Sequence, residues 1–537
     1  MQWIPGDDLR LKKRFVKAAF TGSVLYALLG AIGSQIDASG HVTWHTTGIG
    51  FLFRMPIAFL ILALLFCGIA QLPARKTYDK GRSNVLLASL FLFLCWTPMF
   101  LIQYPGSFMY DTQRQVFQIA SGEYDAFHPL LHTILLRACL SLFFWLQSIE
   151  KCAALYSLLQ MVVMSLCFSM VCCSLRRMAG RKAYLFSLLF YGLYPSHMAM
   201  ASNYVKDALF AACLSVFLML SLEEQVLGIP MPKQVLRLLF GVLACLLRNN
   251  MLPAILLWGV LLFFSKRTRR AAMIAFLIAG ISLIANEALI RATDAKRGSV
   301  GEMLSVPIQQ LARARLTDEI QFSEEEKQIL DSFFNKKGWR LYEPTLADPV
   351  KEKLKVKRVS SQFREFALLW LSIGKKCPQA YLEAFLHLAL PSFYPYHKYR
   401  VAQPYLETGL QPGVVTAPFG QPPMTQPERF SVIRSWLTRI VFNTGADGVP
   451  LLRWIFNTGA VFWFLLFCLL AVIAFGHEFA YSVLLLPFLL YGTFLLGPVM
   501  QGRYLYPFVS AIPLFVLAVF PRFKGHCERK DEFHDSE

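Results

Sequence analysis

Apolar and polar positions along this chain alternate in long blocks, not at the short periods of soluble helices and strands. Apolar runs cover approximately 16–36, 48–72, 84–103, 129–147, 152–174, 183–201, 204–222, 234–247, 250–265, 271–292, 453–475, 479–498 and 503–520. A bilayer core roughly 30 Å thick takes about 20 apolar residues per helix, so the pattern predicts an all-α polytopic membrane protein. The connecting loops decide how many blocks cross. Arg10, Lys12, Lys13 and Arg14 put the amino terminus inside, and the cation-free loop 37–48 outside. Arg75, Lys76, Lys80 and Arg82 return the chain inside, which leaves 103–128 outside. If 129–147 then crossed, the clusters Arg176–Lys182 and Lys266–Arg270 would both lie outside. Held at the outer surface as an interfacial or re-entrant helix, 129–147 restores both clusters to the inside, together with the tail bearing Arg522, Lys524, Arg529 and Lys530. The expectation is therefore twelve spans with both termini cytoplasmic.

These boundaries divide the chain into an amino-terminal two-helix extension (1–83), a membrane core (84–292), an extracytoplasmic segment (293–452), carboxy-terminal helices (453–520) and a cytoplasmic tail (521–537). Within the core, 103–128 is the first large outer loop and 129–147 its juxtamembrane helix. The segment 293–452 is expected to be mainly helical: Ser323 and Glu326 form a capping-box pattern ahead of Ile329, Leu330, Phe333 and Phe334. Six prolines between 403 and 428 predict an irregular loop.

Composition supports the membrane reading, with 55% hydrophobic and only 16% charged residues among 537. The net charge of +19 would suit a nucleic-acid partner were it not gathered in short clusters between apolar blocks, as membrane orientation requires. No nucleic-acid partner is expected. Cysteines fall mostly inside apolar blocks and suggest neither a disulfide framework nor a zinc site.

The predicted topology collects unusual polar residues on one side. Glu123, Asp125 and His128 share the first large outer loop with Asp111, which follows Tyr104-Pro105-Gly106. Lys206 and Asp207 open the 204–222 block; Arg248, Asn249 and Asn250 fill a tight turn; Arg503 and Tyr504 begin the last block. Ionisable groups at that depth are costly and commonly functional. A Lys at a helix end can instead snorkel to the headgroups, and Asp207 can serve a helix amino terminus. His128 and His132 stand four apart without a firm third ligand, so a divalent metal is compatible with the residues but not required by them. Tyr394, Tyr396 and Tyr399, with His397, Lys398 and Arg400, suit either an acceptor wall or an interfacial anchor.

The run Tyr104-Pro-Gly-Ser-Phe-Met-Tyr-Asp111, followed by Gly122-Glu-Tyr-Asp-Ala-Phe-His-Pro-Leu-Leu-His132, resembles the first outer loop of GT-C membrane glycosyltransferases. That superfamily includes the protein O-mannosyltransferases and the aminoarabinose transferases of lipid A. Asn203–Phe210 and Gly502–Pro507 resemble recurring pieces of its bacterial members. The likeness covers the membrane portion, approximately 84–292 and 453–520. Three departures are the Leu at 130, where the family element has a second Pro, an acidic pair that is not contiguous, and the two spans ahead of the catalytic-loop pattern.

The resemblance implies transfer, with inversion, of a sugar from a polyprenyl-phosphate donor to an extracytoplasmic glycan, lipid or protein at the cell membrane. Asp111 would be the general base, with Asp125 or Glu123 as second choices. Lys206, Arg248, Arg503 and Tyr504 would hold the donor phosphate. His128, Asp207, Asn249, His397 and Arg400 would meet the acceptor or the rest of the substrate. Rival readings are a twelve-span transporter, a glycan polymerase or ligase centred on His397 and Arg400, and a membrane scaffold whose outer segment binds a partner.

Overall fold

The computed structural model describes residues 9–71, 83–108, 110–227, 230–298, 300–318, 321–397, 427–441 and 457–519. Arg400 and residues 403–426 of the proline-rich stretch lie outside them. The chain is an all-α membrane protein. It opens with α1 (Leu9–Ser39), α2 (Trp44–Ala70), α3 (Val85–Gln103), α4 (Tyr110–Ser121), α5 (Leu130–Leu140), α6 (Phe143–Leu146), α7 (Ile149–Ala179), α8 (Arg181–Leu193) and α9 (Pro195–Ala201). It continues with α10 (Lys206–Leu227), α11 (Met231–Leu247), α12 (Met251–Phe263) and α13 (Arg269–Thr293). Helices α14 (Ser305–Thr317) through α19 (Pro378–Phe393) form a second body, and the chain closes with α20 (Ser431–Val441), α21 (Thr458–Phe475), α22 (Glu478–Phe494), α23 (Tyr506–Ser510) and α24 (Ile512–Val519).

Among the described residues, six helices are long and apolar enough to cross a membrane: α1, α2, α3, α7, α13 and α21. The last apolar block is bent by 49° between Gly502–Ser510 and Ile512–Val519. Other blocks expected as straight spans are shorter or broken, for identifiable reasons. The block 183–201 divides at Tyr194, whose extended backbone (ψ 123°) is what a following proline favours. The 129–147 block, expected to stay at the surface, is α5 and the short α6; the 11 residues of α5 reach roughly 16 Å and cannot cross a core of about 30 Å.

Helix α10 is the axis of the main core. Ala208, Phe210, Ala211, Ala212, Leu214, Val216 and Phe217 are all buried, so the helix is enclosed on every side. It packs on α7, α11 and α23. Helix α2 is the opposite case: Leu52, Phe53, Ile57, Leu60 and Leu64 are exposed along it, as lipid contact permits. At the far end of α10, Glu223 accepts from Ser174 Oγ (2.8 Å) and Arg177 (2.9 Å) and pairs with Lys233. Neighbouring Glu224 pairs with Arg237, and these bonds staple together the adjoining ends of α7, α10 and α11.

A second core unites α14, α15 (Glu324–Phe333) and α18 (Phe363–Lys376) through Ile308, Leu311, Leu330, Phe333, Phe366 and Ile373. The expected capping box at Ser323 and Glu326 opens α15. Helix α19 then joins this body to the amino-terminal hairpin, packing Leu386, Leu390 and Phe393 on Ile32, Ile36 and Val42. Beside that seam the buried Glu383 pairs with Arg313 and accepts the Val42 N–H at 2.9 Å. Glu383→Ala leaves the Arg313 charge buried and unpaired, which costs roughly 3–5 kcal/mol. Its thermal unfolding in detergent is expected well below the parent's, while Glu383→Gln recovers part of the loss.

Candidate active site

The site begins with two very short strands. β1 (Ser107–Phe108) and β2 (Asn203–Tyr204) pair in parallel, Ser107 beside Asn203 and Phe108 beside Tyr204. Asp111 lies three residues beyond Phe108 and Lys206 two beyond Tyr204, so the pairing brings both charged groups to one place. The Phe108 and Tyr204 rings stack at 4.1 Å, and the Tyr204 hydroxyl donates to the Pro105 carbonyl at 2.9 Å. Only glycine fits at 106. Its φ is +145°, and a Cβ there would stand 2.2 Å from the Tyr204 ring.

Lys206 Nζ donates to Asp111 Oδ2 at 2.7 Å, and Arg503 Nη1 reaches the same oxygen at 2.9 Å. Arg248 pairs with Asp207, which also lies 4.0 Å from Arg503. The Arg248 guanidinium lies 4.5 Å from the ring centres of both Phe494 and Tyr504. These groups come from the first turn of α4, the start of α10, the end of α11 and the turn before α23, which meet at one end of the bundle. All five charged side chains are buried or nearly so, at 16% exposure or less.

His128 completes the group. Lys206 lies 3.3 Å from its Nδ1, which must therefore accept, leaving the hydrogen on Nε2. Burial, then Lys206, pushes His128 well below its ordinary range, so the ring is neutral. For Asp111, burial alone would raise the carboxyl. Arg503 and then Lys206 outweigh it and hold the group well below the usual carboxylate range. Among the described residues three cations face two carboxylates here.

Other expected residues fall elsewhere. Asp125 pairs with Arg114 at 3.0 Å, and Glu123 with Lys296 at 3.1 Å on the exposed rim, so neither second-choice base joins the cluster. Asn249 stays near, donating to the Phe127 carbonyl at 3.5 Å. His397 sits instead in the packing of α19 on α21, 3.4 Å from Thr458 Oγ1. His132 turns away from His128: its Nδ1 lies 2.9 Å from Gln115 Oε1 and its Nε2 2.9 Å from the Tyr156 hydroxyl. Gln160 continues this chain to the Met200, Ala201 and Asn203 carbonyls. The buried series Gln115, His132, Tyr156 and Gln160 thus ties α4, which carries Asp111, to the segment that delivers Lys206. Sequence reading missed it, although glutamines repeated within a buried helix were a visible signal. Among the described residues no group of three or more His, Cys, Asp or Glu could hold a metal ion.

Residues 123–533 match the model of a family of unknown function, DUF6020. The chain belongs to that family. No curated protein and no solved structure matches it. The DUF6020 region includes His128, Lys206, Asp207, Arg248 and Arg503, while Asp111 precedes its start.

The charge cluster dictates a pH response. Below His128's ordinary value of 6.5 the unfolded chain takes up a proton that the folded chain refuses, so stability falls with pH. Asp111 acts lower down. Its contribution is complete above the ordinary value of 3.8 and is lost as pH falls through the lower folded value. Melting temperature in detergent is expected to drop as pH is taken from above to below 6.5. His128→Gln removes that residue's share of the fall, so the curve below 6.5 is shallower than the parent's, and leaves the acid limb.

Proposed function

We propose that this protein is a GT-C-type membrane glycosyltransferase that moves a sugar from a polyprenyl-phosphate donor to an extracytoplasmic acceptor. On this reading the chain crosses the bacterial cell membrane twelve times, with both termini cytoplasmic and the Asp111 cluster outside. The observation that carries the proposal is the buried group of three cations and two carboxylates among the described residues.

An excess of buried cations over carboxylates among the described residues favours an anionic ligand. A sugar phosphodiester carries one negative charge, so a donor with a single phosphate matches that excess. The reaction preserves that balance. Asp111 takes the proton of the acceptor hydroxyl, and the acceptor oxygen bonds to the anomeric carbon from the face opposite the phosphate. The bond from anomeric carbon to phosphate oxygen breaks, and its electron pair stays on the phosphate. The leaving phosphate gains one negative charge as Asp111 loses one. Lys206, Arg248 and Arg503 stand where that charge develops, which is where fixed cations accelerate a reaction most. An Arg fork also orients phosphate oxygens in pairs.

The resting geometry adds a condition. One Asp111 oxygen is shared by Lys206 and Arg503, and a carboxylate so held is a weak base. Phosphate entering between those cations draws them off, and the basicity of Asp111 rises when the donor is present. His128, neutral and beside Lys206, can accept from that ammonium while the pairing rearranges.

Asp111→Asn in lipid nanodiscs is expected to bind donor but to lose transfer by about 10²–10⁴-fold. Transfer at the parent rate would remove Asp111 from the role of base. Arg503→Ala is expected to raise the KM for the donor far more than that for the acceptor; equal losses would end the phosphate assignment.

A further inference from the structure

The two-stranded bridge that closes the second body gathers cations as well. Asn335 N–H donates to the Lys353 carbonyl and Lys355 N–H to the Phe333 carbonyl, each at 2.8 Å. Segments 335–340 and 353–358 meet at this bridge. The pairing is antiparallel, so 335–340 and 355–358 leave the bridge on opposite sides, with Lys353 at the crossing beside Asn335 and the Gly338 turn. Lys336, Lys337 and Arg340 come from the first, and Lys353, Lys355, Lys357 and Arg358 from the second. Seven cations lie on the two segments, which carry no carboxylate of their own; Asp331 stands beside them, accepting from the Trp339 indole at 2.7 Å, and Lys355 Nζ donates to the Ser332 carbonyl at 3.2 Å. The nearest acid along the chain is Glu352. No ion pair forms at any of the seven among the described residues, whereas the neighbouring Lys327, Lys351 and Lys376 are all paired. Lys336 and Lys337 are held outward in left-handed backbone, φ +49° and +55°.

The corner adjoins the site. Lys351, two residues before Lys353, bonds Glu302 and Asp348 and lies 5.9 Å from the Phe127 ring centre. Phe127 precedes His128 and packs edge-on against it. A chain lying along the cations would therefore meet the site at Phe127.

We propose that this corner binds a linear polyanion, and that the acceptor is an anionic envelope polymer such as a polyol-phosphate or uronate glycan. The acceptor assignment rests on the glycosyl-transfer reading; the binding surface itself does not. Unpaired, closely spaced cations repel one another, and a polyanion relieves that repulsion while releasing its own counterions. The Arg340 and Arg358 guanidinium groups lie 5.4 and 5.7 Å from the Trp339 and Phe333 ring centres, which orients two of the seven charges.

The test uses the full chain in nanodiscs of neutral lipid, with fluorescein-labelled linear polyphosphate and neutral dextran as probes. A quadruple variant carries Lys336→Asn, Lys337→Asn, Lys353→Gln and Lys357→Gln, with Asn chosen for the left-handed positions. The parent is expected to bind polyphosphate with strong salt dependence and to ignore dextran. The variant is expected to bind on the order of a hundredfold more weakly at low salt, with its salt slope lower by about three. Its hydrolysis of donor in the absence of acceptor stays at the parent level, which also reports that it folds. Equal polyphosphate affinity in parent and variant overturns the proposal. So does loss of parent binding when phosphatidylglycerol enters the nanodisc, because the cations then serve the bilayer surface. Arg503→Ala separates the two readings: it keeps polyphosphate binding, so an unchanged donor reaction in that variant would defeat glycosyl transfer and leave the polyanion surface standing.

Discussion

Charge enclosed at one end of a helical bundle is the constraint on which the rest of this architecture turns. Three cations and two carboxylates are withdrawn from water there, and each would be unaffordable alone in that surrounding. They are tolerated because the partners come from four distant parts of the chain and meet at short range, Lys206 and Arg503 on one oxygen of Asp111, Arg248 on Asp207. The bundle must therefore hold helix ends in fixed relation. The enclosed α10, the stapled acids at its far end and the glutamine–histidine–tyrosine series behind Asp111 all serve that requirement.

The membrane character of the chain was legible in its sequence because apolar blocks state it without reference to tertiary contacts. The capping box at Ser323 was equally plain, being local. Span lengths were less so: Tyr194–Pro195 divides one block and a 49° bend divides another, and hydropathy averages over such breaks. Among site residues, Asp111, Lys206, Asp207, Arg248, Arg503 and His128 do come together. Glu123 and Asp125 do not, since nearer cations at Lys296 and Arg114 claim them. Which carboxylate meets which cation depended on the pairing of β1 with β2. Two residues on each side is too short a strand for any period to reveal.

The second body shows a different use of charge. Near the membrane core its ions are paired and buried, as at Arg313 and Glu383, and bind the body to the amino-terminal hairpin. At the 335–340 and 353–358 corner the cations form no ion pair among the described residues. One arrangement holds parts of the same chain together; the other leaves attraction to spare for something outside it.

The position of Arg503 has a consequence for biosynthesis. Asp111 and Lys206 are made in the first half of the chain, and with Arg248 and Asp207 they form a neutral set of two positive and two negative groups. Only when the closing helices insert does the third cation arrive and tip the enclosure toward anions. A nascent or clipped chain without that segment would hold an electrically even set, so the excess of positive charge enters the enclosure only with the closing helices.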